Sequence, residues 1–371
     1  MKSISALSEA RGARWVLAYA TVDVPLQEAL AAPGAPLTFG ATSFQGVFTP
    51  KGFRRGFHGL AATDEDGVRA AARLVRTDGA GARAATREAV KSLLAELGGR
   101  ARAILVHATP GFEERVLEGL AEVDAAAGVP VFGGSAADDD LSGKWSVFLG
   151  REVVSEGVLL VAFASDRDVK GAFVSGYFGT KRSGRVTRAE GRTVYAIDDR
   201  PAAEVLDEWM GGALAAARAE GGIVLAETTL SPVGRVVDRT HGVTRYLLSH
   251  PHLVNASDGA VSFFTDMSNG DEVELMMATR GSLMDRVDHV VRRARRGAKT
   301  ALAGGVLIYC GGCVGAIEES TDEVSARFGA GIGGAPFVGA ATFGEIGTFE
   351  SGRTREPMHG NLMCDTILFD G

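Results

Sequence analysis

The chain has 371 residues, enough for two domains with ample cores. Its 39 basic and 46 acidic residues give a net charge of −7, which excludes nucleic-acid binding as the main task. Three cysteines in a chain of this length exclude a disulfide framework. No run of about 18 apolar residues offers a membrane span, and Met1–Glu9 lacks the apolar core of a signal peptide, so a cytoplasmic protein without membrane contact is expected.

In chain order, residues 82–97 predict a helix with Val90, Leu93, Leu94 and Leu97 on one face, ended by Gly98-Gly99. Phe112 to Ala127 predicts a second helix, closed by Gly128. Two strands follow, Trp145–Leu149 and Gly157–Phe163, turned by Gly150-Arg151-Glu152. Ala172–Phe178 reads as another strand. Pro201–Met210 reads as a helix with proline in its first turn and Gly211-Gly212 as its stop. Strands are expected over 222–264 and near 271–280, then a helix over 283–296 begun by a capping box at Ser282. The basic run Arg292-Arg293-Ala294-Arg295-Arg296 is the solvated end of that helix, where cations suit the helix dipole. Thr366–Phe369 closes the chain as a strand. The pattern is α/β with mixed sheets, in two closely packed domains, 1–215 and 216–371.

Three segments look like copies of one another: Phe39–Gly46, Phe132–Asp139 and Val338–Glu345. Each follows a proline (Pro36, Pro130, Pro336) and a short apolar run, then turns into a patch of Gly, Ala, Ser and Thr. Upstream of each lies another apolar run, ending at Tyr19, His107 and Cys310, with room for one short helix in between. Each unit therefore reads as strand, helix, strand. Their loops fall at strand carboxyl ends, where open α/β sheets bind ligands. Small residues there let a ligand approach the backbone.

At this point the motifs resemble the FIST family, with a FIST N-terminal domain followed by a FIST C-terminal domain, from about residue 35 to the end. The first is carried by Gly133–Asp139, Trp145–Phe148, Val186–Arg192 and Asp199–Ala202. The second is carried by Tyr309–Cys313, Phe343–Gly347 and His359–Met363. The resemblance implies a stand-alone bacterial signal-input protein that binds a small molecule, such as an amino acid or amine. It further implies action through a separate partner such as a kinase or cyclase, since no output domain accompanies the two motifs. Some members of the family are haem proteins, so a non-covalent haem stays open; no CxxCH is present for covalent attachment.

A ligand pocket is expected at the domain junction, lined by Thr42, Ser43, Ser135, Asp138, Cys310, Thr342 and Glu345, the polar residues of the repeated loops. Glu345, a lone acid among small residues, is expected to favour a cationic or amine-bearing ligand; the competing reading is a carboxylate that ties its own loop. Asp138, Asp139 and Asp140 lack the alternate spacing of a calcium loop and suit a turn. Cys310-Gly311-Gly312-Cys313 has the spacing of a redox or metal pair, but supplies only two ligands. Cys364 and His359 could complete a metal set, or Cys310, His359 and Glu345 a nucleophile, base and orienter, only if they converge. His107 and His359 are either core histidines or cleft residues, and His is the usual haem ligand.

Overall fold

The computed structural model describes residues 1–31, 37–240, 242–297, 300–351 and 354–371. Pro36 of the expected repeat lies outside these residues. The three strand pairs form as the repeats predict, each parallel: Trp15–Ala20 with Leu37–Thr42, Ala103–Ala108 with Val131–Gly134, and Leu302–Cys310 with Phe337–Thr342. We call the members of each pair the leading and trailing strand. Most of these strands are buried throughout, which is why they read as continuous apolar runs rather than as alternations. The crossovers differ: a single turn Leu26–Ala29 among the described residues of the first, Glu113–Ala121 with a 3-10 turn in the second, and Gly311–Ile317 with Thr321–Gly331 in the third.

After its trailing strand each unit makes an antiparallel strand pair, and this pair joins the sheet of another unit. The first pair, Val47–Thr49 with Gly52–Arg54, adds to the third unit, where Phe48 faces Gly339. The second, Val147–Leu149 with Glu152–Val154, adds to the first unit, where Phe148 faces Gly40. The third, Glu345–Ser351 with Thr354–Gly360, adds to the second unit, where Ile346 faces Gly133. The chain then returns antiparallel to its own leading strand, as Phe57–Ala62, Gly157–Ser165 and Cys364–Asp370. Edge strands Lys2–Ile4, Val68–Arg76 and Val169–Val174 complete three six-stranded sheets of matching order. The cyclic exchange locks the units together.

The sheets enclose one core. Leu17, Leu105 and Val306 meet there, as do Phe39, Phe132 and Val338, each set from matching positions of the three units. At one end Trp15 packs against Phe163 and Phe369, with ring centroids 5.5 and 5.9 Å away, and its Nε1 donates to Val68 O at 2.9 Å. Helices cover the outer faces: Ala82–Leu97 and Glu113–Ala121 on the second sheet, Arg280–Ala294 on the third. The 82–97 helix matches its expected bounds. The later helix starts earlier than Ser282, because Thr279 is the N-cap and Ser282 is the residue that reaches back to it. The strand expected over 172–178 ends at Val174.

The chain between the edge strand Val169–Val174 and the helix Arg280–Ala294 forms a fourth, nine-stranded sheet, with the long strand Phe178–Glu190 near its middle and its own core. Three of the four sheets draw strands from both sides of residues 215 and 216. The two sequence halves are thus interlaced. No helix of the described residues is long and apolar enough to cross a membrane.

The repeated glycine has a steric cause. A Cβ on Gly40 would strike the Ala18 carbonyl oxygen, and one on Gly133 that of Val106; one on Gly339 would lie 2.6 Å from Leu307 O. Gly315, on the third crossover helix, has nothing within 4 Å of a built Cβ. Gly40→Ala should therefore destabilise the protein by about 2 kcal/mol or more, while Gly315→Ala should be neutral or stabilise by up to about 1 kcal/mol. Urea denaturation of the two variants checks this; equal midpoints would contradict it.

Candidate functional site

The three loops that leave the trailing strands meet. Phe44 N donates to Ala341 O (2.9 Å), Phe343 N to Ser135 O (3.3 Å), and Ala137 N to Thr42 O (3.1 Å). The loops bind one another in a closed ring, so they occupy one end of the three-sheet body. Beside them opens a cavity of about 330 Å³, at the small end of the range for organic ligands.

Its walls come from four sources. The loops supply Phe44, Phe343 and Trp145, with Phe343 5.7 Å from Phe44 and 6.2 Å from Trp145 between ring centroids. The third leading strand and its crossover supply Cys310, Gly311 and Gly312. The fourth sheet and its connections supply Arg192, Leu225, Thr229, His250 and Phe264. Asn361, Glu113, Pro110, Gly315, Thr342 and the turn Asp139-Asp140-Leu141, with its two carboxylates, complete the lining.

Glu113 opens a helix just after Pro110-Gly111 end the second leading strand. Its buried carboxylate accepts from Arg192 Nη2 at 2.7 Å, from Gly111 N and, in a short bond, from Ser135 Oγ. Glu114 accepts from the same guanidinium nitrogen at 2.7 Å and from His359 Nδ1 at 2.8 Å. Burial alone would push both carboxyls up; the His359 and Arg192 cations overcome it and hold them below the usual range. Burial likewise disfavours imidazolium at His359, but the two carboxylates raise it. The donor atoms of Glu113, Glu114 and His359 lie within 4.8 Å of one another, a spacing that suits a cation. Arg192 and the His359 proton supply the positive charge there.

Opposite this charged wall the groups are neutral. Burial pushes His250 down to about 3, and its Nε2 lies 3.4 Å from Thr229 Oγ1. Asn361 Oδ1 accepts from His250 N at 3.1 Å, while its buried Nδ2 has no partner among the described residues. That amide is a donor awaiting an acceptor.

Of the seven residues expected to line the pocket, the structure puts Cys310 and Thr342 on its wall. The other five lie behind it, in bonds that shape the loops. Thr42 Oγ1 accepts from Ser146 N and Ser43 Oγ from Ala341 N. Ser135 holds Glu113. Asp138 caps its turn by accepting from Leu141 N (2.7 Å) and Lys144 N (2.8 Å). Glu345 is fully buried; Oε1 accepts from Thr342 Oγ1 at 2.8 Å and Oε2 from Met363 N at 2.9 Å. Burial pushes its carboxyl up to about 8. It ties its own loop and offers a ligand no charge, so the argument for a cationic or amine-bearing ligand fails.

The expected grouping of Cys310, His359 and Glu345 does not assemble, because His359 binds Glu114 while Glu345 binds Thr342 and Met363. For the same reason His359 completes no metal set with the cysteines. His107 sits in the core with Nε2 2.9 Å from Tyr19 Oη and Nδ1 2.7 Å from Gly134 O, and burial lowers it to about 4. Sequence reasoning missed Glu113, Arg192, His250, Phe264 and Asn361 as cavity residues. The aromatic residue directly after two of the loop patches, Phe44 and Phe343, was the legible signal; the fourth sheet carries no copy of the repeat.

A family model of the FIST N domain matches residues 15–200, and a model of the FIST C domain matches residues 202–348. Their junction falls inside the fourth sheet, between Arg200–Pro201 and the helix Ala202–Trp209. Among curated proteins no relative matches the chain.

Glu345 makes stability depend on pH. Its folded value is raised from 4.5 to about 8, so within that window the folded protein holds a proton that the unfolded chain releases. Stability therefore falls as pH rises through the window. Asp365, fully buried and also raised by burial, acts in the same direction. Glu345→Gln should flatten the slope by up to about 1.4 kcal/mol per pH unit. Chemical denaturation from pH 5 to pH 8 measures it; an unchanged slope would mean that Glu345 is ionised in the fold.

Proposed function

Because the chain belongs to the family of FIST N and FIST C domain proteins, we propose that it is a sensory protein whose input is a small organic molecule held in the cavity beside the loop ring. Domains of this family are in general sensory domains of signal transduction. The observation that carries the reading is the cavity's composition: aromatic side chains following all three trailing strands line it together with residues of the fourth sheet, and one buried amide, Asn361 Nδ2, lacks a partner among the described residues. Apolar walls supply affinity, and a few polar groups orient what enters. An unpartnered N–H donor calls for an acceptor, so the ligand has an apolar or aromatic body bearing a carbonyl or carboxylate oxygen. Arg192, already paired with Glu113 and Glu114, lines the cavity across from that donor.

The cavity's position supports signalling. One wall belongs to the three-sheet body and the other to the fourth sheet. A ligand touching both walls changes how strongly the two are held together. A shift of that kind needs a differential affinity between two arrangements, and the output passes to a separate protein such as a kinase or cyclase.

Thermal-shift screening against a panel of aromatic and aliphatic carboxylates, amides and amines tests this. A carboxylate or amide should raise the melting temperature, since a ligand at 100 times its Kd adds about 2.7 kcal/mol. It should also change the emission of Trp145. Asn361→Ala should weaken binding about five- to tenfold, as loss of one hydrogen bond does. A panel in which amines alone stabilise, or nothing does, would sink the reading.

A further inference from the structure

Cys310 ends the third leading strand and borders the cavity; Cys313 lies one turn further on, fully buried. The two thiols are within hydrogen-bond reach of each other. Beside them stands Arg286, from the helix Arg280–Ala294, also fully buried. Its Nη1 donates to Leu362 O (2.7 Å) and Ser175 O (3.2 Å), and its guanidinium lies 3.9 Å over the Tyr309 ring. Nε and Nη2 have no conventional hydrogen-bond partner, and among the described residues no carboxylate pairs with this side chain.

A buried guanidinium needs a counter-charge. Five groups near it could ionise. Burial pushes the Glu345 carboxyl up to about 8, and it accepts from Thr342 Oγ1 and Met363 N, so it keeps its proton. Tyr177 Oη donates to Thr229 O at 2.7 Å, and Tyr309 Oη donates to Leu283 O at 2.9 Å, so both keep their protons. Burial pushes the Cys364 thiol up. Cys313 remains: although burial opposes it, the Cys310 thiol and Arg286 bring it down to about 6. Cys310, by contrast, is pushed well up by burial and by the neighbouring Cys313. The arrangement sets one thiol at the cavity wall beside a second, which the buried Arg286 makes the more acidic of the two.

We propose that Cys310 and Cys313 are a redox-active dithiol, which a small peroxide entering the cavity converts into one disulfide. Cys310 Sγ attacks a peroxide oxygen, passing its proton to the Cys313 thiolate. The O–O bond breaks and hydroxide leaves, so Cys310 becomes a sulfenic acid. The Cys313 sulfur then attacks the Cys310 sulfur; the S–O bond breaks, and the departing hydroxyl takes the Cys313 proton as water. Two electrons pass from the sulfurs to the peroxide, and one sulfur–sulfur bond forms. Arg286 is a positioning residue that keeps the accepting sulfur anionic. The site does not depend on which ligand fills the cavity.

The test uses the full chain, reduced and then treated with one equivalent of hydrogen peroxide. Alkylation in denaturant and peptide mass spectrometry follow. Cys364 alone should remain alkylatable, the peptide carrying Cys310 and Cys313 should be lighter by two hydrogens, and dithiothreitol should restore both thiols. Cys313→Ser removes both the proton acceptor and the resolving sulfur, so it should abolish the bridge and slow oxidation of Cys310, with the product trapped by dimedone as a sulfenic acid. Arg286→Met should slow oxidation at pH 7 about tenfold or more, and Arg286→Lys, which keeps the charge, should recover most of it. Three alkylatable cysteines after peroxide, or a bridge to Cys364, would overturn the proposal.

Discussion

The ring of three backbone hydrogen bonds between the repeat loops is the constraint on which the rest of the molecule rests. Each loop donates to a different neighbour, and each sheet holds a strand pair lent by another unit. No unit can leave without breaking two sheets. A cyclic exchange of this kind rests on long-range pairing, which carries the kinetic cost of non-local contacts. The glycine that faces its neighbours' carbonyl and apolar groups in every unit is the local condition for it.

Two kinds of carboxyl group lie close to this ring, and their environments set them apart. Glu113 and Glu114 are ionised because Arg192 and His359 bring positive charge to them. Glu345 and Asp365 are buried more deeply, and neither forms an ion pair among the described residues; burial outweighs the pull of Arg286 on Glu345, and both stay protonated. Burial disfavours the charged form in all four; a nearby cation decides the outcome. Arg286 shows the same rule with the sign reversed, since its counter-charge must come from a thiol.

The cavity exists because the fourth sheet covers one side of the loop ring. The ring itself is closed by backbone bonds and well packed, with Thr42, Ser43, Ser135 and Glu345 consumed in holding it. Space for a ligand appears only where aromatic side chains beyond the loops face Arg192, His250 and Phe264. The residues that make the loops rigid are therefore not those that meet a ligand.

The sequence by itself determined the three strand–helix–strand units, the small-residue loops at their ends, the helix over 82–97 and the family. These follow from local pattern: apolar runs, glycine stops and motifs carried by neighbouring residues. It also singled out Cys310 and Thr342, which border the cavity. It could not reveal the exchange of strand pairs, because partners such as Phe48 and Gly339 are far apart in the chain and pairing leaves no mark on either strand alone. Nor could it assign the charge of Glu345 against that of Glu113. Glu345 was read as a lone acid among small residues and Glu113 was not singled out at all; only the packed structure shows that Glu113 forms an ion pair with Arg192 while Glu345 ties its own loop.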